Sequence, residues 1–213
     1  MDRLLLGILP LLAIVLFFVG MILALQLATI LGLLGVVEYV ADIVGISMVR
    51  EMAPLLTGIV LSGYAGAAIA AELGSMRVSE EFAAMDALAL HPTRYLVAPR
   101  ILAAAVSGPL ITTIAMFVGI AGGLLVAVAL LGMSPGQYLA RTFSAVSMSD
   151  VALGLLKGGV FACVVASIAC FSGARTEGGA LGVGRATTAA VVKSIVGIIA
   201  CDLFLTVLFF HLE

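Results

Sequence analysis

Long apolar runs with few or no charges constrain the fold of this chain most. Residues 4–37, 52–71 and 101–131 contain no Asp, Glu, Lys or Arg, and residues 151–172 and 186–210 contain one and two. A helix needs about 20 apolar residues to cross a bilayer. With 63% hydrophobic and 10% charged residues, the chain has more apolar surface than a soluble core of this size buries. The sequence therefore predicts an all-α, polytopic membrane protein.

Five transmembrane helices are predicted, in a single domain that covers residues 1–213. The first is followed, up to about residue 49, by a re-entrant or interfacial connector that bears Glu38 and Asp42. A polar connector with Pro135-Gly136 precedes the fourth span, and a glycine-rich loop at residues 173–185 precedes the fifth. The predicted spans cover about residues 7–30, 52–71, most of 101–131, 151–172 and 186–210.

The longest polar interval, residues 72–100, separates the second and third spans. Ser79 is a plausible N-cap for a short amphipathic helix, with Phe82 and Met85 on one face and an end at His91-Pro92. Two interpretations stay open: a solvated surface helix, or a docking segment for a soluble partner. Lys and Arg are more frequent in the flanks that lie inside if the N-terminus is cytoplasmic, so this interval is predicted to be cytoplasmic.

Small residues recur at every fourth position of the second span, at Ser62, Gly66, Ala70 and Gly74. Such a face allows another helix backbone to approach closely. It favours either packing within the chain or a homodimer seam at Ser62, Gly66 and Ala70.

Four charged residues are predicted to form a polar constellation in the outer half of the membrane. Lys157 lies roughly 9 Å and Asp202 roughly 12 Å from the outer ends of their predicted spans, at 1.5 Å per residue. Opposite charges at matched depth suggest an ion pair, and Arg50-Glu51 lies at the outer mouth of the second span. The set is either a structural ion pair between helices or the gate or headgroup region of a transport path.

Signatures of catalysis are missing from the sequence. It has no G-x-x-x-x-G-K-[ST] phosphate loop, no Cys/His cluster with metal-ligand spacing and no evident Ser/His/Asp set. We therefore expect no catalytic residue, no bound metal and no cofactor in this chain. No basic run indicates a nucleic-acid partner.

The chain resembles the MlaE permease family over nearly its whole length. The resemblance rests on Arg50-Glu51 with Pro54, the turn at residues 71–74, Met76-Arg77, and Pro92 with Pro99-Arg100. A second block runs from residue 184 to Asp202. Members usually have an N-terminal amphipathic helix before the first span, which is expected to be missing here.

The resemblance implies a homodimeric permease in the inner membrane, and the Lys and Arg asymmetry predicts a cytoplasmic N-terminus. It implies as partners a cytoplasmic ABC ATPase that binds ATP-Mg, an outer MCE-domain protein, often a STAS-domain protein, and phospholipid as cargo. By match, the helix at residues 79–89 is the coupling helix, and Arg50, Glu51, Lys157 and Asp202 occupy polar positions regarded as important. The implied ATPase-coupling residues are Glu80, Glu81, Met85, Asp86 and Leu88, and the implied lipid pocket at the dimer interface is formed by Leu25, Gln26, Thr29, Met52 and Leu55.

Two functional hypotheses follow. In the first, the chain is the permease subunit of an ABC-type transporter that moves phospholipid between the inner membrane and a periplasmic MCE-domain carrier, driven by a partner ATPase. In the second, it is a stand-alone membrane-embedded enzyme or scaffold. The second predicts activity without a partner.

Overall fold

The computed structural model describes residues 2–211, and side chains from residue 7 onward. Within this part of the chain the structure is helical and contains no strand. We number the helices α1 to α7, and five of them, all except α3 and α5, are long and apolar enough to cross a membrane. Their bounds are Asp2–Leu33 (α1), Val37–Val78 (α2), Thr93–Leu131 (α4), Met148–Ala174 (α6) and Gly179–Phe210 (α7), with the shorter Glu81–Ala87 (α3) and Pro135–Ala145 (α5). The predicted all-α fold with five spans is confirmed.

The predicted connector between the first two spans is wrong. Only residues 34–36 interrupt the helices, and α2 then runs for 42 residues. It opens with a 3₁₀ turn at Val37–Tyr39 and contains π-turns at Met48–Met52 and Ser62–Gly66. The polar residues Glu38 and Asp42 of this stretch are paired with Arg141, so the stretch is helical although hydropathy alone assigned it to a connector.

The polar interval between α2 and α4 is shorter than predicted, because helical structure persists to Val78 and resumes at Thr93. The N-cap prediction for Ser79 is wrong. Ser79 is the C-cap of α2, which ends at Val78, and its hydroxyl donates to the Ser75 carbonyl at 2.7 Å. Glu80 precedes α3 in a left-handed conformation with φ of 61°, which strains any residue that has a Cβ.

Helix α5 was missed in the sequence, where its residues were assigned to a polar connector. Ser134 caps it by accepting a hydrogen bond from the Gln137 N–H at 3.2 Å, and Pro135 occupies the first helical position. Ser followed by Pro is a recognised start signal for a helix. The glycine-rich loop was also overestimated, since α7 already begins at Gly179.

The chain divides into two compact units. One comprises, among the described residues, 2–8, 58–109 and 157–211, and the other comprises Leu9–Thr57 and Leu110–Leu156. The core of the first includes Ile69, Ala70, Leu73, Ala169 and Cys170, and a core cluster of the second includes Ala41, Ala127 and Tyr138. The single-domain assignment stays a prediction.

The small-residue face of α2 packs within the chain. Ser62, Gly66 and Ala70 are buried. A Cβ placed on Gly66 would lie 3.0 Å from Val165, and one placed on Gly173 would lie 2.8 Å from the Ala70 carbonyl oxygen, so α6 covers this face. Packing within the chain therefore accounts for the burial of this face, and the homodimer seam at Ser62, Gly66 and Ala70 stays a prediction.

Candidate functional site

The short helix α3 is attached to the membrane helices by one aromatic side chain. Phe82 is buried in a cluster with Leu73 of α2, Ala169 and Cys170 of α6 and Ala190 of α7. The Arg77 guanidinium lies 5.7 Å from the centre of the Phe82 ring, within the range of a cation–π contact. Phe82 therefore packs α3 into a cluster that contains residues of three long helices.

The rest of the α3 region faces outward. Glu80, Glu81, Asp86 and Leu88 are exposed, Leu88 to 71%, and Met85 is half-buried. These are the five residues to which the resemblance assigns ATPase coupling. The structure presents them on an accessible surface, and their coupling role stays a prediction.

An ion pair joins the two helices that flank this region. Arg100 donates to the Glu72 carboxylate at 2.8 Å and to the Leu96 carbonyl at 2.7 Å. Glu72 belongs to α2 and Arg100 to α4, so the pair connects the helix that precedes α3 to the helix that follows it. Sequence reasoning did not assign this contact, although both residues lie in the quoted family motif.

The predicted ion pair between Lys157 and Asp202 is present. The Lys157 ammonium donates to Asp202 Oδ1 and to Thr206 Oγ1, both at 2.8 Å, and Lys157 is fully buried. Asp202 and Thr206 are four residues apart and share one face of α7. Lys157 lies about 14 Å along α6 from its first residue, and Asp202 about 12 Å along α7 from its last, at 1.5 Å per residue. The gating role of the pair stays a prediction.

Arg50 has a partner that the sequence analysis did not name. It lies in the first π-turn of α2, and its Nε donates to Asp150 Oδ1. The other Asp150 oxygen accepts from the Ser147 N–H at 2.7 Å, and the Asp150 N–H donates to the Ser147 hydroxyl at 3.2 Å. This reciprocal pair is a capping box at the start of α6, and its S-x-x-D spacing is readable in the sequence. Arg50 and Glu51 belong to the second compact unit, whereas Lys157 and Asp202 belong to the first. The four-residue constellation therefore stays a prediction.

A second charged cluster attaches α5 to the start of α2. Arg141 donates to Glu38 and, at 3.3 Å, to Asp42 Oδ2, and its guanidinium lies 5.4 Å from the centre of the Tyr39 ring. Deeper in the same contact, the buried Tyr138 hydroxyl donates to the Ile120 carbonyl at 3.3 Å. Burial raises the pKa of Tyr138 to about 12.

The implied lipid-pocket residues lie on two helices of the second unit. Leu25, Gln26 and Thr29 are exposed on α1, and Met52 and Leu55 are half-buried on α2. The Thr29 hydroxyl is occupied by a hydrogen bond to the Leu25 carbonyl at 3.1 Å. Their role in binding lipid stays a prediction.

A comparison with known proteins decides the family. The family model described as Permease MlaE matches residues 1–208. The chain belongs to the MlaE permease family. Among its relatives, a probable ABC transporter permease protein of Rickettsia felis is 41% identical over 202 residues, which is 95% of this chain and 78% of that protein.

Two further MlaE relatives have more specific names. The chloroplastic protein TRIGALACTOSYLDIACYLGLYCEROL 1 of Arabidopsis thaliana is 36% identical, over 91% of this chain and 55% of that protein. The intermembrane phospholipid transport system permease protein MlaE of Haemophilus influenzae is 33% identical, over 91% of this chain and 74% of that protein. The chain is accordingly an MlaE-type, multi-pass membrane protein of the ABC transporter permease kind.

Proposed function

We propose that this chain is the permease subunit of an ABC-type phospholipid transporter in the inner membrane. It works as a homodimer and moves lipid between that membrane and a periplasmic MCE-domain carrier. A separate cytoplasmic ATPase, which holds ATP-Mg, drives the transfer, and a STAS-domain protein accompanies the complex in some members of the family. The name of the H. influenzae relative supports phospholipid as the cargo.

The observation that carries this proposal is the combination of an exposed α3 surface with a buried Phe82 anchor. Asp86 and Leu88 are accessible to a soluble partner, whereas Phe82 is only 7% exposed and packs among α2, α6 and α7. A segment built in this way receives force on one side and delivers it on the other. Closure of the ATPase on nucleotide pushes α3, and the Phe82 cluster passes the displacement to the long helices.

The lipid end of the mechanism uses the implied pocket and the polar residues of the membrane. Leu25, Gln26, Thr29, Met52 and Leu55 hold the acyl chains, and movement of the long helices empties or fills this pocket. Lys157 with Asp202, and Arg50 with Glu51, act in gating. The N-terminus is cytoplasmic in this arrangement, which places α3 on the side of the ATPase.

The test is ATP hydrolysis by the purified complex in lipid nanodiscs. Met85→Trp and Asp86→Arg are expected to abolish the stimulation of the ATPase by the permease. Gln137→Arg is the matched control, because Gln137 is exposed on α5 and one further span separates α5 from α3. Stimulation that survives in both α3 variants contradicts the docking of an ATPase there. Lipid chemistry by the purified chain alone would support the stand-alone enzyme instead.

A further inference from the structure

Two adjoining cavities lie along the first turns of α7, in the first compact unit. One, of about 430 Å³, lies between the end of α6 and the start of α7 and is lined by Arg175, Glu177, Arg185 and Lys193 among others. The other, of about 770 Å³, is an open groove along α7 itself. Arg185, Ala189 and Lys193 line both. One cavity is therefore charged, the other is mostly apolar, and two cations stand where they meet.

The charged cavity carries an excess of positive charge. Arg175, Arg185 and Lys193 are exposed, and Glu177 is the single acidic residue among the lining residues. Arg175 is held by a cation–π contact, with its guanidinium 4.3 Å from the centre of the Phe171 ring. Anions are attracted to such a cluster, and clustered guanidinium and ammonium groups suit phosphate oxygens.

A buried hydroxyl in the same cavity lacks a partner. Ser172 lines the cavity and is 8% exposed, and within the described part of the chain its Oγ has no hydrogen-bond partner. An unsatisfied buried hydroxyl costs free energy, but the Ser172 Oγ is itself closed off from the cavity, so the cavity's cations carry the argument.

The groove next to this cavity suits hydrocarbon. Ala180, Leu181 and Val192 line it beside the two shared cations, and Leu181 and Val192 are 68% and 56% exposed. A charged cavity with an apolar extension complements an anionic head attached to an acyl chain. A second copy of this chain fits less well, because a two-fold contact through this face would bring the same cations of both copies together.

The position along the helix agrees with a lipid ligand. α7 has 32 residues, or about 48 Å at 1.5 Å per residue, whereas the hydrocarbon is about 30 Å thick. Counting about 20 residues back from Phe210 sets the boundary of the hydrocarbon near Ala190. Arg185 then lies at the depth of the lipid headgroups. Lys193 lies about one turn inside the boundary at Ala190, and its ammonium reaches towards the headgroups by snorkelling.

We propose that this pair of cavities binds one anionic phospholipid of the membrane leaflet that faces the α6–α7 turn. Arg175, Arg185 and Lys193 contact its phosphate, and the groove along Leu181 and Val192 holds an acyl chain. This site is separate from the implied transport pocket on α1 and α2. It does not depend on the proposed transport function, because lipid binding is measured without an ATPase.

The experiment is native mass spectrometry of the full chain released from nanodiscs that contain equal amounts of phosphatidylglycerol and phosphatidylcholine. The wild type is expected to retain phosphatidylglycerol preferentially. Each cation near an anionic lipid contributes about fivefold to binding, so Arg185→Gln with Lys193→Gln lowers the preference about 25-fold. Arg94→Gln, which removes an exposed cation from the start of α4, leaves it unchanged.

Two further variants separate lost binding from lost folding. The charge-conserving Arg185→Lys with Lys193→Arg keeps the preference, and Ala189→Trp, which fills the shared wall without a change in charge, lowers it. If Arg94→Gln lowers the preference for phosphatidylglycerol equally, the preference comes from unspecific surface charge and the proposal is overturned. Displacement of the lipid by millimolar inorganic phosphate overturns it in favour of a free anion, and a dimer that dissociates on removal of the two cations overturns it in favour of a second copy.

Discussion

Two ion pairs of the first compact unit differ sharply in their surroundings. Lys157 is fully buried inside α6 and is bonded to Asp202 and Thr206, whereas Glu72 exposes 57% of its side chain where it meets Arg100. A charge in hydrocarbon has no water to return to when its partner is lost, but an exposed carboxylate does. Loss of one partner is therefore expected to destabilise the fold strongly at the buried Lys157–Asp202 pair and only weakly at the exposed Arg100–Glu72 pair.

The largest expected effect comes from breaking the buried pair on one side. Asp202→Leu leaves the Lys157 ammonium without its carboxylate, and the free energy of unfolding falls by about 3–5 kcal/mol. Unfolding of the purified protein by SDS titration in mixed micelles measures this. The double variant Lys157→Met with Asp202→Leu regains most of the stability, since an apolar pair of similar volume replaces the charges.

The double variant also separates a gate from a structural pair. A stable double variant that no longer transfers lipid supports gating by Lys157 and Asp202. A stable double variant with normal transfer reduces the pair to a contact between α6 and α7.

The next largest effect tests the connection of α3 to the helices that carry the buried pair. Phe82→Ala opens a cavity in the cluster and lowers the free energy of unfolding by about 3 kcal/mol. It also removes the stimulation of ATP hydrolysis, because the displacement of α3 is no longer transmitted. Leu88→Ala is the stability control: Leu88 is 71% exposed, and its truncation is expected to change stability by about 0.5 kcal/mol or less. Full stimulation of ATP hydrolysis by the Phe82→Ala protein would contradict the proposal that Phe82 transmits the displacement of α3.

A buried neutral group, Tyr138, extends the comparison to the second unit. Tyr138→Phe loses the hydrogen bond to the Ile120 carbonyl, at a cost of about 1 kcal/mol. The raised pKa, about 12 against an ordinary 10.0, means that the fold favours the neutral phenol. The contribution of the neutral Tyr138 phenol to the free energy of unfolding is complete below pH 10 and is lost as the pH rises towards 12. Thermal unfolding at pH 9 and pH 11 should show this extra loss in the wild type and not in Tyr138→Phe.

The smallest effect is expected at the exposed pair. Glu72→Gln removes a charge that water already solvates, so the free energy of unfolding falls by about 1 kcal/mol or less, and by less still at high salt. The same SDS titration at low and high salt measures it. A loss as large as that of Asp202→Leu would abolish the distinction between the two depths.

Hydropathy was sufficient to predict the five spans and the Lys157–Asp202 pair, because each depends on one-dimensional information: the length of an apolar run and the depth of a charge within it. It failed at α5 and at the start of α2. There, polar residues such as Arg141 and Asp42 are satisfied by each other, so a polar stretch folds into helices that hydropathy assigns to connectors.

The packing of α2 was beyond the sequence for another reason. The spacing of Ser62, Gly66 and Ala70 predicts a close helix contact but not its partner, and the partner is α6 of the same chain. The Arg50–Asp150 contact required recognition of the capping box at Ser147, a signal that was present in the sequence and was not used.

The most direct test of the central claim, that α3 docks on a separate ATPase, is a cross-link from α3. A photoreactive residue at Asp86 is introduced into the complex purified from its native membrane, with the same residue at Gln137 of α5 as the control. We expect position 86 to cross-link to a protein that hydrolyses ATP and position 137 not to do so. Cross-links from position 86 to lipid alone, in a complex that still hydrolyses ATP, would contradict the account.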